Sequence, residues 1–280
     1  MSKVNYPGRV SDLSSQSDQA QSKLFSGIQI VGLMFVSMFV TSWAMGLILS
    51  PWMMTWPYQV FSALVYIVLS IYLTDKIGEM DDYSDFKDEV CAPQFNYLQL
   101  MGVLNGWYLG PFLNFVLILP QGPGILISAV LGITVRLLSA VIIALTCDEY
   151  QIHRALPERG MLINLLSGVI IASFLNMFFQ WPLLSACITG ASIFTFCNLL
   201  IFDVSLLTSK KVSTASACSL IFMDLVNLLV DFIQLGLALS EDPKQVNANA
   251  FVGVMAVVCM PLVYFCYRES AETNNRLGMS

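Results

Sequence analysis

The sequence predicts an all-α polytopic membrane protein, and three observations carry that class. Of its 280 residues, 56% are hydrophobic and only 11% charged, against about a quarter charged in a soluble domain. The apolar residues fall in blocks of about 18 to 26, the length a helix needs to cross roughly 30 Å of hydrocarbon. Short breakers such as Ser50-Pro51, Pro120-Gln121-Gly122-Pro123 and Trp181-Pro182 separate the blocks. At these lengths only helices satisfy their own backbone inside lipid.

Residues 1–26 are polar and rich in Ser and Gln, and read as a mostly disordered tail that ends in a short helix entry. Spans are predicted at 27–50, 57–74, 97–119, 124–147, 160–180, 182–207, 215–239 and 249–267. Domains follow as the tail 1–26, a seven-span bundle 27–239, and 240–280 as a loop, an eighth span and a short tail. Pro261 interrupts the eighth, so it either spans or lies at the interface.

Basic residues choose the orientation. Lys3, Arg9, Lys23, Lys76, Lys87, Arg154, Arg159, Lys210, Lys211, Arg268 and Arg276 fall on one side, 11 of the 13 in the chain. The opposite side has Lys244. The positive-inside rule makes the crowded side cytosolic, with the N-terminus there. The net charge of −6 therefore reports little about partners. Nothing in the pattern points to nucleic acid.

The seven cysteines are scattered, with no CxxC pair, and the lone histidine is His153. That excludes a zinc site and a disulfide framework, and no metal-binding or cofactor-binding residues are predicted. Residues 75–89 carry seven acids and two lysines without the spacing of a calcium loop, and read as a solvated loop. HExxH and GxSxG are absent, as are the GxGD and YD signatures of intramembrane aspartyl proteases. The chain is expected not to be an enzyme.

Three acids stand where lipid should be: Asp203 before the basic turn Ser209-Lys210-Lys211, and Asp224 and Asp231 after it. A charge inside a span is costly, so its default reading is functional. At ~1.5 Å per residue, Asp203 is ~8 Å and Asp224 ~15 Å from the cytosolic edge. Arg136 in span four is ~16 Å deep and is the expected partner of Asp203 or Asp224. Two neighbouring carboxylates in low dielectric do not both ionise easily, so they would share a proton and titrate as a unit. Asp203, Asp224 and Arg136 thus form a candidate pH latch on an ion pathway. Asp224, Asn227, Asp231 and Gln234 share one face of span seven. Asn227 and Asp231, with Asn114 and Asn176 at similar outer depths, mark a candidate polar route. The competing reading for the single asparagines is helix–helix hydrogen bonding.

These segments resemble the Bax inhibitor family, the transmembrane Bax inhibitor motif proteins. Leu109-Gly110-Pro111-Phe112-Leu113-Asn114 is similar to its LGP segment, and Gly160-Met161-Leu162 to the entry of its fifth span. Leu200-Ile201-Phe202-Asp203-Val204 is similar to its FDT segment, and Ser219 to Leu228 to its SLYLDxxNLF segment. The likeness covers roughly 98–236. It implies a seven-helix Bax-inhibitor-like bundle with an acidic pair from spans six and seven, here Asp203 and Asp224, and in this chain an additional C-terminal hydrophobic helix. It implies a pH-sensitive calcium leak that modulates intracellular calcium and cell death, with calcium as a permeant ion rather than a cofactor. The implied location is the endoplasmic reticulum or Golgi membrane in a eukaryote, or the inner membrane in a bacterium. The basic residue that some members carry in span two is missing here between Val60 and Leu73, and Val204-Ser205 replaces the Thr of FDT. The rival expectation is a non-conducting regulator that binds cell-death factors or a membrane protease.

Overall fold

Long apolar runs punctuated by Pro and Gly fold as seven helices in the computed structural model, which describes residues 9–48, 55–83, 90–146, 152, 156–179, 181–208 and 212–239. They are α1 (Arg9–Leu47), α2 (Trp56–Tyr83), α3 (Ala92–Ile118), α4 (Gly122–Thr146), α5 (Arg159–Phe179), α6 (Pro182–Thr208) and α7 (Thr214–Leu239). Six are long and apolar enough to cross a membrane, and the apolar part of the remaining one, α5, runs over Arg159–Ser173. The chain is therefore an all-α, multi-pass integral membrane protein. The expected eighth helix at 249–267 lies outside the described residues.

Two boundaries differ from expectation. α1 is helical from Arg9, inside the segment read as a disordered tail. Its polar composition hides two anchors: Leu24 is fully buried, and the buried Lys23 donates from Nζ to the Val212 carbonyl at 3.3 Å. α2 continues to Tyr83, through half of the acidic stretch read as a loop. There Lys76 and Glu79 pair at 2.5 Å along one helix face.

α7 is the axis of the bundle. Of its most apolar window, 72% is buried, against 17% for α4. A helix apolar on nearly all sides has to be surrounded, and α1, α2, α3, α4 and α6 all pack on it. The Ser213 hydroxyl starts it, accepting from the Ser216 N–H at 3.1 Å. α4 lies at the edge and meets α6 and α7. Its inward stripe includes Ala129, Ile133, Ala140 and Ala144.

The tightest seam joins α1 to α3. Gly102, Gly106 and Gly110 repeat every four residues along α3. A Cβ on Gly106 would run into the Met38 carbonyl and the Thr41 side chain. Without a hydrophobic force between helices in lipid, such close backbone approach is what holds them. Polar contacts join in: Ser37 Oγ donates to Gln99 Oε1 at 2.6 Å, and Ser42 Oγ to the Gly106 carbonyl at 3.1 Å. From α2, Tyr66 donates to Asn105 Oδ1 at 3.0 Å and stacks on Tyr108 at 4.8 Å. α4 and α6 complete the other side of α7, with α5 packed on α6.

Candidate ion pathway

Asp203 and Asp224 meet across the α6–α7 interface. Both are almost fully buried, 2% and 1% exposed, and their carboxyls lie close enough to act on each other. Ionised carboxylates only accept, so any direct bond between the two would need a proton on one. The apolar neighbours on the two helices, Leu200, Phe202 and Val204 against Ile221, Phe222 and Leu225, are all buried and keep water away. Asp224 Oδ2 has no hydrogen-bond partner.

The counter-charge is not the expected one. Arg159 Nη2 reaches Asp203 Oδ1 at 3.1 Å, and its charge also acts on Asp224. Arg159 was read as a cytosolic loop residue. It is instead the first residue of α5, at the same end of the bundle as the last turns of α6. From there a long side chain can reach Asp203, whereas a mid-span residue cannot.

Arg136 is therefore corrected. It does not pair with the aspartates but donates from Nη2 to the Cys197 carbonyl at 2.6 Å. Its depth near the middle of α4 places it beside Cys197, six residues before Asp203 on α6 and ~9 Å from it at 1.5 Å per residue. Its Nε is buried without a partner.

Asp231 forms a second station. Ser192 Oγ donates to Asp231 Oδ2 at 2.6 Å, again across α6 and α7. Asn227 is buried between the two acids on α7. Asn114 and Asn176 bond elsewhere. Asn114 Nδ2 donates to the Ser42 and Gly110 carbonyls at 2.8 and 2.7 Å, on the α1–α3 seam. Asn176 Oδ1 accepts from the Trp181 N–H at 3.0 Å and closes the α5–α6 turn. These contacts are those of helix connections. The acidic column is thus Asp203, Asp224, Asn227 and Asp231, with Arg159, Ser192 and Cys197 added by the structure. The sequence signal for Arg159 was its place at the mouth of a span, where the chain is still basic. Ser192 and Cys197 carried none, being ordinary residues of an apolar helix. Among the described residues, no three His, Cys, Asp or Glu side chains converge on one point. The site offers two carboxyls at a time, short of a calcium cage of six to eight oxygens.

A family model described as "Inhibitor of apoptosis-promoting Bax1" matches residues 31–242, which covers α2 to α7, the C-terminal part of α1 and both acids of the pair. A protein of Vibrio cholerae serotype O1 described as an uncharacterized membrane protein is 29% identical over 136 residues. That match covers 47% of this chain and 58% of the relative, so it spans little more than half of the relative's length. No solved structure matches. With the match over residues 31–242 and an all-helical bundle around α7, the chain belongs to the Bax inhibitor family of membrane proteins.

Proposed function

We propose that the protein is a pH-sensitive cation leak, with calcium as a permeant ion, and that Asp203, Asp224 and Arg159 form its latch. The observation that carries this reading is the buried pair of neighbouring carboxyls with an arginine on one side. Buried charge of this kind marks ion and proton paths in membrane proteins. The shared proton closes the pair. When it leaves, two negative charges face the single positive charge of Arg159 across a dry interface, and repulsion drives α6 from α7 at that end. Two carboxylates without further ligands attract a divalent cation and release it, as conduction requires.

On this reading the protein is not an enzyme and needs no cofactor. Its leak would lower stored calcium and so modulate cell death in a eukaryotic reticulum or Golgi membrane. In a bacterium it would sit in the inner membrane. The basic end, which includes the N-terminus, would face the cytosol by the positive-inside rule.

Purified full-length protein in liposomes loaded with a calcium dye tests this. Calcium entry is expected to rise with pH, because the shared proton is lost in that direction. Asp203→Asn and Asp224→Asn should each flatten that dependence. No leak at any pH would instead favour the regulator of cell-death factors or of a protease. A leak whose pH profile both variants leave intact would remove the latch.

A further inference from the structure

Between the two acidic stations, three helices converge on Cys197. α4 supplies Arg136, which donates to the Cys197 carbonyl at 2.6 Å and lies against its thiol. α7 supplies Asp224 and Asp231, each within electrostatic range of that thiol. On α6, Cys197 is six residues from Asp203 and five from Ser192, so ~9 and ~8 Å from the two stations. Three acids and two arginines line this column. Arg159 answers Asp203 directly, but Arg136 is held by a backbone carbonyl and not by a carboxylate, with its Nε buried and unpartnered. A backbone carbonyl does not neutralise a guanidinium, so its charge stands at the waist between two cation-attracting sites.

We propose that Arg136 is the selectivity-determining residue of the route, an electrostatic barrier between the Asp203–Asp224 and Asp231–Ser192 stations that opposes divalent cations more strongly than monovalent ones. This rests on the leak reading above. Coulomb repulsion scales with the charge of the ion, so the barrier that Arg136 adds for calcium is twice the barrier for potassium. Rates depend exponentially on barriers, so removing the charge raises calcium flux by about the square of the gain in potassium flux. A potassium gain of about threefold then accompanies a calcium gain of about ninefold.

The test uses the full chain in liposomes, as wild type, Arg136→Gln and Arg136→Lys, with calcium and potassium fluxes measured at one pH. Arg136→Gln is expected to raise the calcium-to-potassium flux ratio about threefold, and Arg136→Lys, which keeps the charge, to leave it near wild type. A ratio that Arg136→Gln leaves unchanged, or that both variants shift alike, overturns the proposal while the leak reading stands. If wild type passes neither ion at any pH, the leak reading falls and takes this role with it.

A second measurement needs no variant to fold. Cys197 in the wild-type protein is treated with small anionic and cationic methanethiosulfonates, and modification is read at the peptide level with exposed Cys91 as reference. If the charge of Arg136 outweighs those of Asp224 and Asp231 at the thiol, the anionic reagent is favoured at Cys197 relative to Cys91. Equal rates, or no modification of Cys197 by either reagent, overturn the proposal.

Discussion

At the scale of single residues, the acids were legible in the sequence and their partners were not. An aspartate in an apolar run is visible because its cost in lipid is large. Its counter-charge is found by depth, and depth measured along the chain places Arg136 and Asp224 at one level. The actual pair, Arg159 with Asp203, joins a helix start to a helix end, which requires knowing that α5 lies beside α6. Breaking a buried pair from one side leaves an uncompensated charge and costs about 3 to 5 kcal/mol. Arg159 is 21% exposed, and solvent screening lowers the loss to about 2 kcal/mol. Arg159→Met should thus lower the thermal midpoint in detergent by about 4–8 °C. Adding Asp203→Asn should recover most of the loss, since Asn still bonds Asp224 without a charge to orphan. A double variant no more stable than the single one would mean that Arg159 acts through packing and not through Asp203.

At the scale of elements, span lengths follow from hydropathy and came within a few residues, while the ends of α1 and α2 did not. Both continue as helix into polar sequence, where the only signal is a few anchors such as Lys23 and Leu24. The α1–α3 seam left a plainer trace, the four-residue spacing of Gly102, Gly106 and Gly110. Hydropathy does not register it, because a stripe of glycine is neither apolar nor charged. The contact geometry gives a sharp contrast. Gly106→Val pushes a side chain into the Met38 carbonyl, which is backbone and cannot yield. Overpacking of this kind costs about 1–3 kcal/mol. Gly32 on α1 has open space where a Cβ would go, and Gly32→Ala should be neutral or stabilise slightly by raising helix propensity. Thermal unfolding of both variants in the same detergent decides this. Equal behaviour of the two would show that α1 and α3 are not held by this stripe.

At the scale of the whole molecule, the bundle divides around α7 into halves of different character. On one side α1, α2 and α3 are joined by glycine contacts, side-chain hydrogen bonds and stacked tyrosines. On the other, α6 meets α7 and α5 meets α6 through ionisable groups, Asp203, Asp224 and Asp231, with Arg159 as a fixed positive charge. On the proposed leak reading, opening belongs to the second half, with the first serving as the frame. Hydrogen exchange of the protein in nanodiscs at pH 6 and pH 8, corrected for the intrinsic effect of pH on exchange, reads this division. Water has to enter for buried amides to exchange, so a latch that releases admits exchange near itself first. The first turns of α5 and the last turns of α6 should lose protection between the two pH values. The α1–α3 seam should not change, and Asp224→Asn should abolish the difference at α5 and α6. Protection lost evenly over all seven helices would mean that the bundle loosens as one body, and α7 would then be a pillar without a hinge.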